Sequence, residues 1–180
     1  MTVSWLIKKG AGAPETLADA GVTALKIEGR MKSSHYAAVV TNAYRHAIDA
    51  ASAGLPLKDV WREEVDKVSH REYSTGFYFD AEGPGQFCGD SMYRSECDVA
   101  AVVERCESDG NAVATQRNKF YCGDSLELLM PSYEPITFTV ERITDINGLE
   151  IDSTPHPMME FRIKLPVYAP QYSILRKFRN

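Results

Sequence analysis

Two groups of side chains have types and spacings suited to holding an anion. The first is the run Lys26-Ile27-Glu28-Gly29-Arg30-Met31-Lys32-Ser33-Ser34. An acid at a strand end, a glycine, then Arg30 and Lys32 just ahead of a helix place two cations and free backbone N–H groups at the carboxyl end of a parallel-type strand, where α/β proteins bind anionic ligands. Glu28, Arg30 and Lys32 are therefore a candidate anion-binding set. The plainer alternative is a Glu28–Arg30 pair that braces the strand end. The second group is C-terminal: Phe161, Tyr168, Tyr172 and Phe178 interleave with Arg162, Lys164, Arg176, Lys177 and Arg179. Such a mixture can neutralise phosphates and stack bases. Arg117 and Lys119, on either side of Asn118 in an expected hairpin, join this candidate nucleic-acid-binding set. Its alternative is a solvated sheet face followed by a tail that packs through its aromatics.

Other reactive residue types form no recognisable constellation. His35 and His46 are 11 residues apart on one expected helix, with no third ligand nearby, and His156 between Pro155 and Pro157 reads as a turn residue. Neither a G-x-S-x-G nor an H-E-x-x-H sequence occurs, so no catalytic residue is assigned and no metal site is expected. Cys88, Cys97, Cys106 and Cys122 are spaced 9, 9 and 16 apart. That spacing matches no zinc pattern and is sparse for a disulfide scaffold, so free thiols are expected.

The charge distribution sharpens the second group. Among 180 residues, 25 acids outweigh 20 Lys and Arg, yet the balance changes along the chain: 9 cations against 8 acids in residues 1–70, 6 against 17 in 71–160, and 5 against none in 161–180. A basic tail on an acidic body concentrates positive potential locally and argues against a broad nucleic-acid surface. The chain is 44% hydrophobic, an ordinary composition for a globular protein. No apolar run approaches the roughly 18 residues of a membrane span, and the N-terminus has no signal-peptide pattern. A cytoplasmic location without membrane contact is the expectation.

Elements that must position these residues follow from periodicity. Pro14 to Ala20 suits a short helix closed by Gly21, and Val22 to Glu28 reads as a strand covered on both faces. Ser33 or Ser34 can cap a long helix whose Tyr36, Val39, Val40, Ala43, Tyr44, Ala47, Ile48 and Ala51 recur at three- and four-residue steps up to Gly54. A further helix is expected over residues 57–68. The lone strand cannot satisfy its two backbone edges, so it requires partners from a second copy or from a larger α/β protein. From Tyr73 the texture becomes β: Thr75–Phe79, Val99–Glu104, Ala112–Gln116, Ser125–Met130, Ile136–Ile143, Leu149–Asp152 and Met159–Leu165 are separated by turn signals, Asn147-Gly148 being the strongest. About seven short strands point to a small closed antiparallel barrel.

Residues 21–48, from Gly21-Val22-Thr23 through Glu28-Gly29-Arg30-Met31-Lys32 to His46-Ala47-Ile48, closely resemble the latter part of the U32 peptidase family, also called collagenase-like proteases. Arg71 to Tyr78, Gln116 to Phe120 with Gly123-Asp124, His156-Pro157 and Tyr172 to Lys177 are similar to that family's C-terminal domain. The resemblance implies an α+β chain: the terminal strand and helices of a TIM-like barrel in residues 1–54, a linker helix in 55–70, and a C-terminal antiparallel β-barrel in 71–180. It further implies a parent that makes 5-hydroxyuridine at the tRNA wobble position, using prephenate and an iron–sulfur cluster held upstream, with none of these cofactors in this segment. The family's cysteine-containing signature matches no residues here. On this reading the segment is not a complete catalyst, tRNA is the expected partner, and residues 1–54 offer a surface for a homodimer. A true peptidase and a non-catalytic binding module are the alternatives.

Overall fold

The computed structural model describes residues 17–69 and 95–179. They belong to two compact units, Met1–Glu96 and Cys97–Asn180. The expected strand Thr75–Phe79 and the start of the first expected helix lie outside the described residues.

In the first unit, residues 17–19 form a turn of helix that Gly21 closes. Gly21 adopts φ 82°, and the N–H groups of Gly21 and Val22 donate to the carbonyls of Ala18 and Leu17, each at 2.9 Å. This left-handed cap suits glycine because it has no Cβ to clash. Helix α1 (Ser34–Ser52) follows, capped by the Ser33 hydroxyl, which accepts from the Tyr36 N–H at 3.3 Å. Its buried stripe of Tyr36, Val39, Val40, Ala43, Tyr44 and Ala47 is the face that the periodicity marks. Helix α2 (Asp59–Lys67) buries Trp61, Glu64 and Val65. The His46 ring of α1 stacks on Trp61 with centroids 3.7 Å apart and planes 9° from parallel. Residues 22–29 join no ladder among the described residues. The strand expected there keeps only an alternation in burial, with Leu25 and Ile27 partly covered and their neighbours exposed. A strand needs a neighbour to complete its hydrogen bonds, and no described segment pairs with this one.

The second unit is a single eight-stranded antiparallel sheet: β1 (Cys97–Cys106), β2 (Asn111–Gln116), β3 (Ser125–Leu129), β4 (Ile136–Thr139), β5 (Ile143–Asp145), β6 (Glu150–Ile151), β7 (Glu160–Lys164) and β8 (Ile174–Phe178). Its spatial order is β4-β3-β8-β1-β2-β7-β5-β6. The sheet curls into a half-barrel around Ala114, Phe120, Leu126, Leu128, Ile143, Phe161, Ile163 and Leu175, with Phe120 and Phe161 in edge-to-face contact at 5.4 Å. Ladder pairing does not complete the expected closed ring: the edge strands β4 and β6 do not pair with one another. Residues 120–124 tie down both edges instead. On one side Gly123 donates to the Val140 carbonyl and Val140 to that of Asp124, at 2.8 and 2.9 Å. On the other, Cys122 donates to Asp152 and Thr154 to Phe120, at 2.9 and 3.0 Å, with Tyr121 and Ser153 in an isolated antiparallel bridge.

Two further details set the register. The turn between β1 and β2 requires Gly110, whose φ is 91° and whose hypothetical Cβ would lie 2.5 Å from the Leu165 carbonyl oxygen. Strand β8, which the basic-tail reading does not anticipate, lies between β3 and β1. There Arg176 stands opposite Glu127, and its guanidinium donates to the carboxylate through Nε and Nη2, each at 2.8 Å. Arg176 has 0% of its surface exposed and Glu127 7%. The pair lies on the sheet face opposite Leu128 and Leu175.

Two outcomes follow for stability. Arg176→Ala removes the guanidinium that Glu127 holds across β3 and β8, and the β unit should lose about 3–5 kcal/mol, measured by urea unfolding. A change below about 1 kcal/mol, the value of an exposed pair, would contradict this assignment. The second outcome concerns acid. Partial burial pushes the Asp124 carboxyl up, but the Lys177 ammonium and the Tyr121 N–H outweigh it and hold the group below the usual carboxylate value. Asp145 is also lowered, chiefly by the Leu149 N–H, with Asn147 contributing. A carboxyl depressed in the folded state contributes stability that is present above its unfolded value near 3.8 and lost as pH falls through the lower folded value. Thermal melts of Asp124→Asn should accordingly differ from wild type at pH 6 and converge with it as pH falls through the lowered folded value.

Candidate nucleic-acid interface

Alternation along β2, β5 and β7 sorts their side chains onto two faces. Ala112, Ala114, Phe161, Ile163 and Ile143 enter the core, so Val113, Arg162, Lys164 and Thr144 face outward. Pairing then lines up a row across the sheet: Arg105 opposite Val113, Val113 opposite Arg162, and Arg162 opposite Thr144. Beside this row lies a cavity of about 320 Å³ bordered by Arg142, Arg162, Lys164, Asn111, Thr144 and Glu107. Arg162 reaches the Ile146 carbonyl at 3.4 Å and makes no ion pair among the described residues. Arg142 lies 3.2 Å from the Glu150 carboxylate. Lys164 donates to the Asp109 carbonyl at 2.6 Å and lies 3.6 Å from its carboxylate. The Asp109 carboxyl is held below its usual range, first by the Asn111 N–H and then by Lys164. It is therefore ionised at neutral pH and steadies the Lys164 ammonium at the cavity rim. Three solvent-accessible cations around a concave polar site can bind phosphate oxygens.

The sequence-based candidates separate in space. Arg162 and Lys164 come together, joined by Arg142, which the sequence reading missed because it sits in the acidic stretch between two short strands. Only the β5–β7 register brings it alongside. Arg117 and Lys119 follow the other end of β2. Arg117 donates to the Gln116 carbonyl at 3.1 Å and meets the Met158 sulfur at 2.8 Å, and the Lys119 ammonium lies 4.7 Å from the centroid of the Tyr121 ring.

The three tail cations are not a free arm. Arg176 is buried on Glu127, Lys177 pairs with Asp124 at 2.7 Å, and Arg179 grips Asp98 through two bonds of 2.9 and 2.6 Å. Asp98 raises the Arg179 guanidinium further above its ordinary value. These pairs fasten the tail to β1 and to the β3 region. The N-terminal set is likewise not convergent: Glu28 lies 3.7 Å from Lys26, Arg30 is exposed, and Lys32 donates to the Ser69 carbonyl at 2.7 Å while lying over the Tyr36 ring.

The described cysteines do not suit an iron–sulfur cluster, which wants converging thiolates. Cys97 is buried, the Cys106 thiol donates to the Glu107 carbonyl at 3.4 Å, and that of Cys122 to the Ile151 carbonyl at 3.5 Å. No group of three or more His, Cys, Asp or Glu among the described residues is arranged to hold a metal. No helix among them is long and apolar enough to cross a membrane.

Comparison with known proteins gives these observations a lineage. The chain is 36% identical over 162 residues to tRNA hydroxylation protein P1 of Bacillus subtilis, a match that covers 87% of this chain and 38% of that protein. It is 34% identical over 155 residues to tRNA hydroxylation protein P of Escherichia coli, covering 78% of this chain and 31% of the relative. The chain thus spans about a third of the length of these two relatives. A crystal structure of the C-terminal domain of a Geobacillus thermoleovorans U32 peptidase is 32% identical, with 44% of this chain and 99% of that chain covered and a TM-score of 0.43. The profile described as peptidase family U32 matches residues 12–86, and the one described as the peptidase family U32 C-terminal domain matches residues 95–176. Both match in sequence order and together they take in most of the polypeptide, so the chain belongs to peptidase family U32.

Proposed function

We propose that this chain is the C-terminal part of a protein that hydroxylates tRNA, at C5 of the wobble uridine, and that its β unit holds the RNA backbone. The observation that carries the reading is the match of 87% of the chain to a relative named for tRNA hydroxylation. The outward cations Arg142, Arg162 and Lys164 support it, since phosphate contacts orient an RNA without reading its sequence. In this proposal the iron–sulfur cluster and prephenate belong to the remainder of the full-length protein, and residues 22–29 complete their hydrogen bonds there. The described residues bind and position; none is assigned to the chemical step.

Two measurements test the proposal. Deleting the gene for the full-length protein should remove 5-hydroxyuridine and its derivatives from digested tRNA analysed by mass spectrometry, and unchanged levels would overturn the reaction. In the full-length protein, Arg142→Ala, Arg162→Ala and Lys164→Ala together should make the slope of log affinity for tRNA against log salt shallower by about 2, from three lost phosphate contacts at about 0.7 each. Equal slopes would remove this cavity from the RNA-binding surface.

A further inference from the structure

We infer that Tyr121, with the Lys119 ammonium over its ring, is a stacking site for an unpaired nucleobase of a single-stranded RNA segment, separate from the cavity lined by Arg142, Arg162 and Lys164. The inference rests on the RNA reading above and adds a contact to a base where that reading has contacts to phosphates.

The backbone of Tyr121 carries its structural duty. Its N–H donates to the Asp124 carboxylate at 2.8 Å, and its main chain bridges Ser153. Any residue except proline could make these bonds. The ring is a different matter: the preceding Phe120 is 0% exposed in the core, whereas Tyr121 is 48% exposed. An aromatic kept half outside, at a position where the fold needs only main chain, is available to a ligand.

Its surroundings are rigid. The N–H groups of Arg117 and Asn118 both donate to the Ala100 carbonyl, at 2.8 and 3.1 Å, and the Asn118 amide donates to Val99 at 2.8 Å. Buried Gln116 accepts from the Met158 N–H at 3.2 Å, and the Thr154 hydroxyl accepts from the Phe120 N–H at 3.2 Å. A platform fixed in advance loses little freedom when it binds.

Electrostatics point to a nucleic acid. Unlike Arg176, Lys177 and Arg179, neither Arg117 nor Lys119 makes an ion pair among the described residues. Lys119 is instead held over the Tyr121 ring. An exposed ring with a cation over it that makes no ion pair among the described residues matches a nucleotide, whose base stacks while a phosphate meets the charge.

The test uses the full 180-residue chain and a fluorescein-labelled oligouridylate ten nucleotides long, beside an oligomer of the same length with abasic sugars. Tyr121→Ala should weaken oligouridylate binding by about five- to tenfold or more with an unchanged salt slope, because stacking contributes on the order of one such factor per base. Tyr121→Phe, which keeps the ring and controls for folding, should bind within about twofold of wild type. The abasic oligomer should not distinguish wild type from Tyr121→Ala, and Lys119→Ala should make the slope shallower by about 0.7. If Tyr121→Ala binds like wild type while Arg162→Ala weakens binding, the stacking site is wrong and the RNA reading stands. If the wild-type chain binds neither oligomer at about 50 mM salt, both fall.

Discussion

The β unit depends on an ion pair sealed away from water. Glu127 and Arg176 face each other across β3 and β8, and either charge without the other would carry several kcal/mol of desolvation cost. The pair can form in one register only, since a slip of one residue would send Arg176 to the opposite face, among Leu126 and Leu128. Specifying β8 in this way specifies its other neighbour, because Arg176 also stands opposite Val99 of β1. From β1 the order continues outward to β2 and β7, whose outer faces carry Arg162 and Lys164. The exposed cations are thus held in place by a buried one.

This division explains how charge is used in an acidic domain. Cations on β8 and just after it are compensated by Asp98, Asp124 and Glu127 and hold strands together. Arg117, Lys119 and Arg162 have no such acid beside them and keep their potential for a ligand. Net charge hides the distinction, and so does position in the sequence, because the partners lie between 49 and 81 residues apart.

What could be read from the sequence follows from the range of the interactions. Strand β7 is evident because Phe161, Ile163 and Leu165 alternate with Arg162 and Lys164, a local pattern. Helix α1 is equally evident, and Ser33 caps it as its position suggests. The turn at Asn147-Gly148 is local too, closed by Asp145 two residues earlier. Strand β8 is not legible: Ile174-Leu175-Arg176-Lys177-Phe178 has the look of a charged tail until Glu127 is placed beside Arg176. The segment Val22–Glu28 shows the converse, for its apolar residues suit a strand that needs neighbours beyond the described residues. Likewise, Arg142 joins Arg162 and Lys164 only through strand order.

The central position of β8 also bears on how the polypeptide is made. The first strand of this unit to leave the ribosome, β1, cannot acquire one of its two neighbours until residues 174–178 have emerged, some 70 residues later. Before then β4-β3 and β1-β2-β7-β5-β6 share no ladder and meet only through residues 120–124, each with an open edge toward the missing strand. Contacts that span so much of a chain form slowly, so the sheet is assembled after synthesis of this region rather than during it. A nascent chain stalled ahead of residue 174 would display two unpaired strand edges to chaperones, and a bulky peptide fused directly after β8 would have to be accommodated at the middle of the sheet rather than at its rim.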